Sequence, residues 1–518
     1  MKASRILIMF GSLALLLWMT HTPRELYAAV DDFNILLGRP SDDSITANVI
    51  PDQSGEISFE YGTTSGVYGS PTSAVPCTVD EPVVAVISGL ESNTQYFYRL
   101  LYRATSEDSW TQGDEHSFYT QRGRGETFTF TIITDSHMNG GGGNAALYEQ
   151  TIDKVRLDHP DFHFDLGDTF WMDGLPMNST IANQKYLSQR QWMGVVSHSA
   201  AIFLAPGNHE NEEGWNFDDT NSRALLSVNA RKLYYPNPIT DGFYSGNDDP
   251  LPEIYGGGLR EDYFAWTWGD ALFVFIDPYH YTMKNPYILA GGEDNDEDPA
   301  SKDRWDWTLG QQQFNWFRQT IQNSHAKFKF VFAHHMLGGL EDFVRGGAAA
   351  AHMFEWGGYD IDGTTWGFNR ERPGWGNVPI HQLMIANGVS AFFYGHDHLY
   401  AYQKRDGVVY QEVPSAGLTG SGLQSYYHDS YTLNLLPSPG YLRVTISPTK
   451  ATVEYVYTTG ELAHTYTIDP SVSLCQSDFA PSDGDVDGSD LAAYISDPGD
   501  IELENFAAEF GRTDCPVS

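Results

Sequence analysis

The chain has 518 residues, enough for two or three domains and at least one large hydrophobic core. Its 68 acidic and 30 basic residues give a net charge of −38. This charge argues against a nucleic-acid backbone as a bound partner, because affinity for such a backbone comes from Lys and Arg. Acidic residues cluster in "EDNDED" (293–298) and "DGDVDGSD" (483–490), a pattern that favours solubility or cation binding. With only three cysteines, the chain is not a disulfide scaffold.

Residues 1–29 are typical of a secretory signal peptide. Lys2 and Arg5 precede the apolar run "ILIMFGSLALLLWM", which is shorter than a membrane span, and small residues follow at Ala28 and Ala29. An uncleaved anchor is the alternative, because charged residues lie close to the cleavage site. No later segment is long and apolar enough to span a bilayer. We therefore expect an exported protein that is secreted, periplasmic or at the cell surface.

Residues 30–122 predict an all-β, immunoglobulin-like sandwich. Short apolar runs alternate here with turn signals: "SITANVI", "EISFEYGT", "PVVAVISGL", "TQYFYRLLYRA" and "EHSFYTQ". The spacing of Leu90, Thr94 and Tyr96 in "LESNTQYFYRL" resembles that of fibronectin type III domains. The segment contains no polar cluster that suggests chemistry, so we expect a spacer or packing domain.

After the linker "QRGRGET" the pattern changes, and residues 123–470 predict a layered α/β fold. Strand-like runs such as "FTFTII" and "KFKFVFAHH" alternate with helical stretches such as "GQQQFNWFRQTIQ", "HQLMIANG" and residues 183–196. Two stretches, 210–260 and 337–375, are rich in Gly, Trp and Asn. We expect these to be long functional loops.

Five predicted strands end in residues that can bind metal. In "FTIITDSH", Asp135 and His137 lie two positions apart and would project from the same side of a strand. The runs "DLGD", "APGNHE", "FAHH" and "YGHDH" add Asp168, Asn208, His209, His334, His335, His396 and His398. Ligands of open α/β folds gather beyond the carboxyl ends of the strands. Carboxylates and imidazoles bind divalent first-row metals, so the sequence predicts a metal site there.

The order D-x-H, G-D, G-N-H-E, H-H and G-H-D-H closely resembles the calcineurin-like metallophosphoesterase superfamily, over residues 127–410. The preceding immunoglobulin-like segment is similar to the N-terminal domain of purple acid phosphatases. The resemblance implies a β-sandwich flanked by helices and two divalent ions, Zn, Mn or Fe, that share Asp168. It implies Asp135, His137 and His398 as the remaining ligands of one ion, and Asn208, His334 and His396 as those of the other.

The resemblance also implies a phosphoesterase that acts on small phosphate esters, and the signal-peptide pattern predicts that it is exported. Two cations about 4 Å apart can clamp the attacking and leaving oxygens and acidify a bridging water. His209 would lie beside the metals without binding them. It would donate a proton to the leaving oxygen or a hydrogen bond to the phosphoryl oxygens of the transition state. A phosphodiesterase or nucleotidase, rather than a phosphomonoesterase, is one alternative. A non-catalytic metal-dependent binding protein is the other, although the intact His209 favours an enzyme.

Other residues in the motifs have predicted supporting roles. Neighbouring residues on a strand point to opposite faces, so we expect His335 to be structural rather than a ligand. His163 and His198 are expected to be core histidines, and Glu210 to form hydrogen bonds within its loop. Trp171 stands where purple acid phosphatases have their iron-binding tyrosine, so no Fe(III)-tyrosinate is expected.

The two predicted loops carry side chains that could contact a substrate: Trp215, Arg345, Trp356, Trp366 and Arg370. An Arg there could clamp a phosphate, and a Trp could stack on a base or a sugar. The alternative is that these residues only pack the loops. Substrate identity does not follow from the sequence.

Residues 471–518 resemble the calcium-binding segments of dockerin-like and EF-hand-like modules. Such a loop needs oxygen ligands at alternate positions and a glycine at the sixth, here Gly488. The candidate calcium ligands are Asp483, Asp485, Asp487 and Asp490. The twelfth position is Tyr494 instead of Glu, so Asp490 would have to close a shortened loop.

Cys475 and Cys515 bracket this tail. We predict that they form a disulfide and leave Cys77 free. Closing a loop of this length would stabilise the tail by roughly 3–4 kcal/mol. The resemblance implies a docking partner or a cell-surface role for the tail, and the alternative is a solvated acidic extension.

Overall fold

The computed structural model describes residues 33–176, 178–217, 222–251, 257–284, 303–338, 346–420, 427–471 and 486–496, together with 503, 506, 507, 510 and 511. The predicted signal peptide lies outside these residues. Within them, no helix combines the length and the apolar character needed to cross a membrane.

The N-terminal part is a sandwich of two antiparallel sheets. Its strands are β1 (Phe33–Gly38), β2 (Ser44–Pro51), β3 (Gly55–Gly62), β4 (Val75–Cys77), β5 (Val83–Ser88), β6 (Gln95–Ala104), β7 (Thr111–Gln112) and β8 (His116–Tyr119). One sheet has the order β1-β2-β5, and the other has the order β4-β3-β6-β7 with β8 also paired to β6. The predicted all-β sandwich is confirmed. The apolar runs missed β1, β4 and β7, of which β4 and β7 are too short to show an alternating pattern.

A second, larger sandwich follows, formed by two mixed sheets. Its strands are β9 (Phe128–Ile133), β10 (Phe162–Asp165), β11 (Ala201–Leu204), β12 (Ser245–Gly246), β13 (Phe264–Trp268), β14 (Ala271–Phe275), β15 (Phe328–Phe332), β16 (Ala391–Tyr394), β17 (Leu399–Arg405), β18 (Val408–Glu412), β19 (Thr432–Pro437), β20 (Gly440–Ser447), β21 (Lys450–Tyr457) and β22 (Leu462–Ile468). The six-stranded sheet has the order β11-β10-β9-β20-β21-β22. The eight-stranded sheet has the order β12-β13-β14-β15-β16-β18-β17-β19.

Helices cover the outer faces of this sandwich. The described helices are α1 (Ala145–Leu157), α2 (Ser179–Ser197), α3 (Arg223–Tyr234), α4 (Gly310–Gln322), α5 (Phe354–Gly357), α6 (Phe368–Glu371), α7 (Ile380–Ala386) and, in the tail, α8 (Gly488–Ser496). Apolar residues of α1 and α2 pack on the six-stranded sheet, and those of α4 and α7 pack on the eight-stranded sheet. The predicted β-sandwich flanked by helices is confirmed.

The space between the two large sheets is filled by aromatic rings. Phe130 of β9 meets Phe273 of β14 edge to face at 5.2 Å, and Phe164 of β10 meets Phe332 of β15 in the same way at 4.9 Å. Edge-to-face contacts at these distances are favourable beyond simple burial. Strands β9, β10 and β11 run parallel, as do β14, β15 and β16. The aromatic core therefore fixes two sets of carboxyl-terminal strand ends.

The prediction of long loops over 210–260 and 337–375 is wrong in part, because α3 lies within the first and the short helices α5 and α6 lie within the second. Ser222 caps α3 by accepting a hydrogen bond from the backbone N–H of Leu225. Ala224, Leu225 and Val228 are buried on its inner face. The Gly- and Asn-rich composition around α3 concealed this apolar face.

A buried arginine joins the two sandwiches. Arg190 of α2 is 1% exposed, and its guanidinium donates to the side-chain and backbone oxygens of both Asn34 and Asn48, at 2.7–3.2 Å. A further bond reaches the carbonyl oxygen of Tyr234. Burial lowers the pKa of Arg190 to about 10, so the group remains charged at neutral pH.

Replacing Arg190 with Leu should lower the free energy of unfolding by about 3 kcal/mol or more, because several buried oxygens would lose their donor. The matched control is Arg156→Leu on α1, where the side chain is 45% exposed and lies 4.0 Å from the carboxylate of Asp153. This control should change the free energy by less than about 0.5 kcal/mol. Urea denaturation followed by circular dichroism measures both. Equal effects would contradict the role of Arg190.

Candidate metal centre

Seven side chains from five motifs meet beyond the carboxyl ends of β9, β10, β11, β15 and β16. One group comprises Asp135, His137, Asp168 and His398, and a second comprises Asp168, His334 and His396. Within each group, one ligand atom of every residue lies within 4.8 Å of the others. The amide oxygen of Asn208 lies 3.2 Å from Nε2 of His334. The structure thus brings the predicted residues together in the two predicted sets, with Asp168 common to both.

The distances within the groups suit metal ions. Nε2 of His398 lies 3.3 Å and Nε2 of His137 lies 3.5 Å from Oδ1 of Asp135. Nε2 of His334 lies 3.1 Å from Oδ2 of Asp168. Two ligands at about 2.1 Å from one ion in a tetrahedral arrangement lie about 3.4 Å apart. The spacing therefore matches that of ligands around a shared ion.

Three of these buried atoms make no hydrogen bond to the residues that the structure describes. They are Oδ1 of Asp135, Nε2 of His137 and Oδ2 of Asp168. A buried polar atom left without a partner costs stability, so such atoms call for a compensating group. A cation placed among them would supply it. The oxygen and imidazole donors fit Zn, Mn or Fe(II), and they do not distinguish among these metals.

The backbone is strained at most of the candidate ligands. Five of the seven candidate ligands have left-handed φ angles: Asp135 (51°), His137 (51°), Asp168 (56°), His396 (81°) and His398 (59°). Such conformations cost of the order of 1–3 kcal/mol each, and they concentrate at functional sites. The strain at this centre is therefore consistent with a functional arrangement held by its surroundings.

The remaining oxygens of the two aspartates are fixed by hydrogen bonds. Oδ2 of Asp135 accepts from the Thr134 hydroxyl at 2.8 Å and from the backbone N–H of His396 at 2.9 Å. Oδ1 of Asp168 accepts from the backbone N–H of His209 at 2.9 Å. Each carboxylate thus has one oxygen bound to the protein and the other directed at the imidazoles. Supporting contacts of this kind orient metal ligands.

Glu210 joins the loop after β10 to the loop after β11. Its buried carboxylate accepts four backbone hydrogen bonds of 2.6–3.0 Å, from Gly207, Asp168, Thr169 and Phe170. The predicted hydrogen bonding within its own loop is thus only part of its role. Gly207 permits this close approach, because a Cβ there would lie 2.3 Å from Oδ1 of Asp168.

The two adjacent histidines after β15 have different surroundings. Nδ1 of His334 bonds to the carbonyl oxygen of Leu166 at 2.8 Å, which leaves Nε2 facing Asp168. Burial lowers the pKa of His334, but the charge of Asp168 outweighs burial and raises it to about 10. The same negative potential would attract a cation. His335 instead bonds through Nδ1 to the hydroxyl of Tyr279 at 2.7 Å, in line with the predicted structural role.

His209 lies at the rim of the centre, with its side chain 22% exposed. Its Nδ1 bonds to the carboxylate of Asp173, and its Nε2 lies 3.8 Å from Oδ2 of Asp168. Burial lowers the pKa of His209, but Asp168 and Asp173 together raise it to about 9. The arrangement can hold a proton on Nε2 beside the candidate metal ligands. Sequence reasoning missed Asp173, and its only signal was an acidic residue shortly after the "DLGD" motif.

The other predicted histidines lie away from the centre. His163 is fully buried in β10 and bonds through Nδ1 to Thr131 at 2.8 Å. Burial lowers its pKa to about 3, as expected for a neutral core histidine. The ring of His198 lies 4.1 Å from that of His116 at a tilt of 31°, where the two sandwiches meet. Its side chain is partly exposed, so it is not the core histidine that was predicted.

The loop residues differ in their placement. Trp356 is completely buried and donates to the hydroxyl of Tyr410 at 3.0 Å, so it belongs to the core. Arg370 is exposed and bonds to Asp360 and Glu371. Trp215 packs against Trp307, and Trp366 is 40% exposed. Arg345 lies outside the described residues.

A third buried group, Asp262, Asp277 and His280, lies apart from the seven residues. The guanidinium of Arg260 lies beside these three residues, with its Nε 3.1 Å from Oδ2 of Asp262. Nδ1 of His280 bonds to the same oxygen at 2.6 Å. Because an arginine already supplies the positive charge, this group is an ion-pair network rather than a metal site.

Part of the predicted calcium loop lies within the described tail. Oδ1 of Asp487 accepts hydrogen bonds of 2.6 Å from the N–H and hydroxyl of Ser489, and Oδ2 of Asp490 accepts from the N–H of Asp487 at 2.9 Å. These bonds cap the start of α8. Cys77 is a buried free thiol. The remaining tail residues of this prediction lie outside the described residues: Cys475, Asp483, Asp485 and Cys515.

The model of the calcineurin-like phosphoesterase family matches residues 128–400, which is more than half of the chain. Among solved structures, a purple acid phosphatase from yellow lupin seeds has a TM-score of 0.56 at 13% identity, over 84% of this chain and 74% of that one. The structure of PhoD has a TM-score of 0.56 at 15% identity, over 84% of this chain and 88% of that one.

At such low identity, the two structural likenesses show a shared fold only. No curated protein matches the chain. The family match covers the strands and motifs that form the centre described above. The chain therefore belongs to the calcineurin-like phosphoesterase family and is a metal-dependent phosphoester hydrolase.

Proposed function

We propose that the protein is an exported enzyme that hydrolyses small phosphate esters at a centre of two divalent metal ions. Asp168 would be shared by both ions, and this proposal rests chiefly on its membership of both ligand groups. The other ligands would be Asp135, His137 and His398 for one ion, and Asn208, His334 and His396 for the second. When bound, two such cations polarise the phosphate oxygens and lower the pKa of a water molecule.

The residues of the chain contribute positioning and proton transfer. The Asp173 carboxylate accepts a hydrogen bond from Nδ1 of His209, which leaves the proton on Nε2 available to a bound substrate. We propose that His209 donates this proton to the leaving oxygen of the ester. A protein that only binds metal has no use for such a pair, and this observation favours hydrolysis over binding.

The preference for monoesters or diesters depends on the walls of the crevice. Residues 339–345, which belong to one predicted loop, lie outside the described residues.

Assays with nitrophenyl phosphate, bis-nitrophenyl phosphate and nucleotides test the proposal directly. Hydrolysis of at least one of them that is lost with a chelator and restored by Zn, Mn or Fe supports it. No hydrolysis by the metal-loaded protein would favour the binding protein.

Replacing His209 with Ala should lower the turnover of an ester with a poor leaving group, such as a phenyl phosphate, by about 10²–10⁴-fold, the usual contribution of a positioned proton donor. The metal content of the variant should stay at the parental level, because His209 is not among the proposed ligands. Steady-state kinetics and elemental analysis measure the two quantities. The matched control is His159→Ala, which removes an exposed histidine and should leave turnover unchanged. Parental turnover in the His209 variant would refute the proton-donor role.

We predict that the iron-loaded protein is not purple. The purple colour arises from a tyrosine bound to Fe(III), and Trp171 stands in the place of that tyrosine. An indole ring cannot form the tyrosinate charge-transfer complex. Visible absorption spectroscopy of the iron-loaded protein tests this, and a tyrosinate band would contradict it.

Three proposals concern the ends of the chain. They are export by the signal peptide at residues 1–29, the Cys475–Cys515 disulfide, and calcium binding with a docking partner for residues 471–518. Each rests on the sequence alone, as do the domain boundaries at 122/123 and 470/471. Peptide mapping of the exported protein, with and without calcium, checks cleavage, the disulfide and protection of the tail from proteolysis.

A further inference from the structure

We propose that Trp171 is a positioning residue that, together with Asp173, fixes the orientation of His209. The inference rests on the proposed function, because it concerns the proton donor of that reaction. No motif of the sequence assigns this role to Trp171.

The first observation is a ring stack. The indole of Trp171 is stacked on the imidazole of His209, with 3.8 Å between the ring centroids and 24° between the planes. The imidazole is also held at its edge, where Nδ1 bonds to the carboxylate of Asp173. One contact restricts the tilt of the ring and the other its rotation. Together they direct Nε2 toward the side of the centre where Asp168 lies, 3.8 Å away.

The second observation is that the surrounding backbone leaves room for the indole. A Cβ at Gly140 would lie 2.8 Å, and one at Gly141 only 2.3 Å, from ring atoms of Trp171. Any larger residue at either position would displace the indole. The backbone N–H of Met172 also donates to the carbonyl oxygen of His209 at 2.8 Å, which ties the two segments together.

The third observation is that Asp173 is itself held. The side-chain N–H of Asn211 donates to Oδ1 of Asp173 at 2.7 Å and to the carbonyl oxygen of Asn208 at 3.0 Å. Asn211 has a left-handed φ of 58°, a conformation that asparagine tolerates better than most residues. A continuous set of contacts therefore runs from Asn211 through Asp173 to His209, and Trp171 closes it from the face of the ring.

Orientation matters because a proton donor acts only within hydrogen-bonding reach of the leaving oxygen. His209 is partly exposed, so without the stack its ring would be free to tilt toward solvent. A misplacement of about 1 Å can lower a rate by about 100-fold. The loss should depend on the leaving group, since a poor leaving group needs the proton and a good one does not.

The experiment compares Trp171→Leu, which removes the ring face and keeps much of the volume, with Trp171→Phe, which keeps a ring face. The substrates are dinitrophenyl and phenyl phosphate esters, in the monoester or diester form that the parental protein accepts. We expect Trp171→Leu to lower kcat for the phenyl ester by about 10- to 100-fold and to change the dinitrophenyl rate little. Trp171→Phe should retain most of the parental rate on both esters.

The double variant of Trp171→Leu with His209→Ala should be no slower than His209→Ala alone. The metal content of each variant is measured as well, because the Trp171 ring also lies 5.3 Å from the ring of His137, a proposed ligand. It should equal the parental value, since Trp171 is not among the proposed ligands. The matched control is Trp110→Leu, which removes a partly exposed tryptophan of the N-terminal sandwich, packed against the guanidinium of Arg103, and should leave both rates unchanged.

Equal losses on both esters, or full additivity with His209→Ala, would overturn the positioning role. A Trp171→Phe variant as slow as Trp171→Leu would overturn it as well. If His209→Ala itself keeps the parental rate on the phenyl ester, the proton-donor role falls and the positioning role falls with it. If His209→Ala is slow and Trp171→Leu is not, the proposed function stands and only this inference fails.

Discussion

The buried carboxylate of Asp168 is the constraint on which the rest of the centre depends. It is 1% exposed, and its two oxygens serve different partners. Oδ1 is held by the backbone N–H of His209, while Oδ2 lies 3.1 Å from His334 and 3.6 Å from His137. A charge removed from water in this way needs opposite charge close by. The imidazoles and the proposed cations on either side of Asp168 provide it.

The fold supplies this carboxylate with its neighbours by aligning strand ends. Aromatic rings between the two sheets fix β9 and β10 against β14 and β15. The residues that follow these strands then turn sharply, with left-handed φ angles at Asp135, His137 and Asp168. Glu210 holds two of the turns together through four backbone hydrogen bonds. A rigid scaffold of this kind can keep strained loops and like charges close together.

Much of this could be predicted from the sequence. The apolar run before Asp135 predicted a buried parallel strand, and the helical pattern at "GQQQFNWFRQTIQ" coincides with α4. The motifs at the strand ends also predicted which residues would meet, because parallel strands bring distant segments to one edge. The contact between Trp171 and His209 could not be predicted, since it depends on side-chain directions within two loops. The same is true of the bonds from Arg190 to Asn34 and Asn48, which belong to the other sandwich.

The central claim is that two metal ions are bound around a shared Asp168. Elemental analysis of the metal-replete protein, alongside the Asp168→Ala and Asp173→Asn variants, tests it most directly. The account predicts two ions per chain in the parental protein and in Asp173→Asn, where the altered residue contacts His209 and no proposed ligand. It predicts the loss of both ions in Asp168→Ala. One ion or none in an active parental preparation, or two ions retained by folded Asp168→Ala, would contradict it.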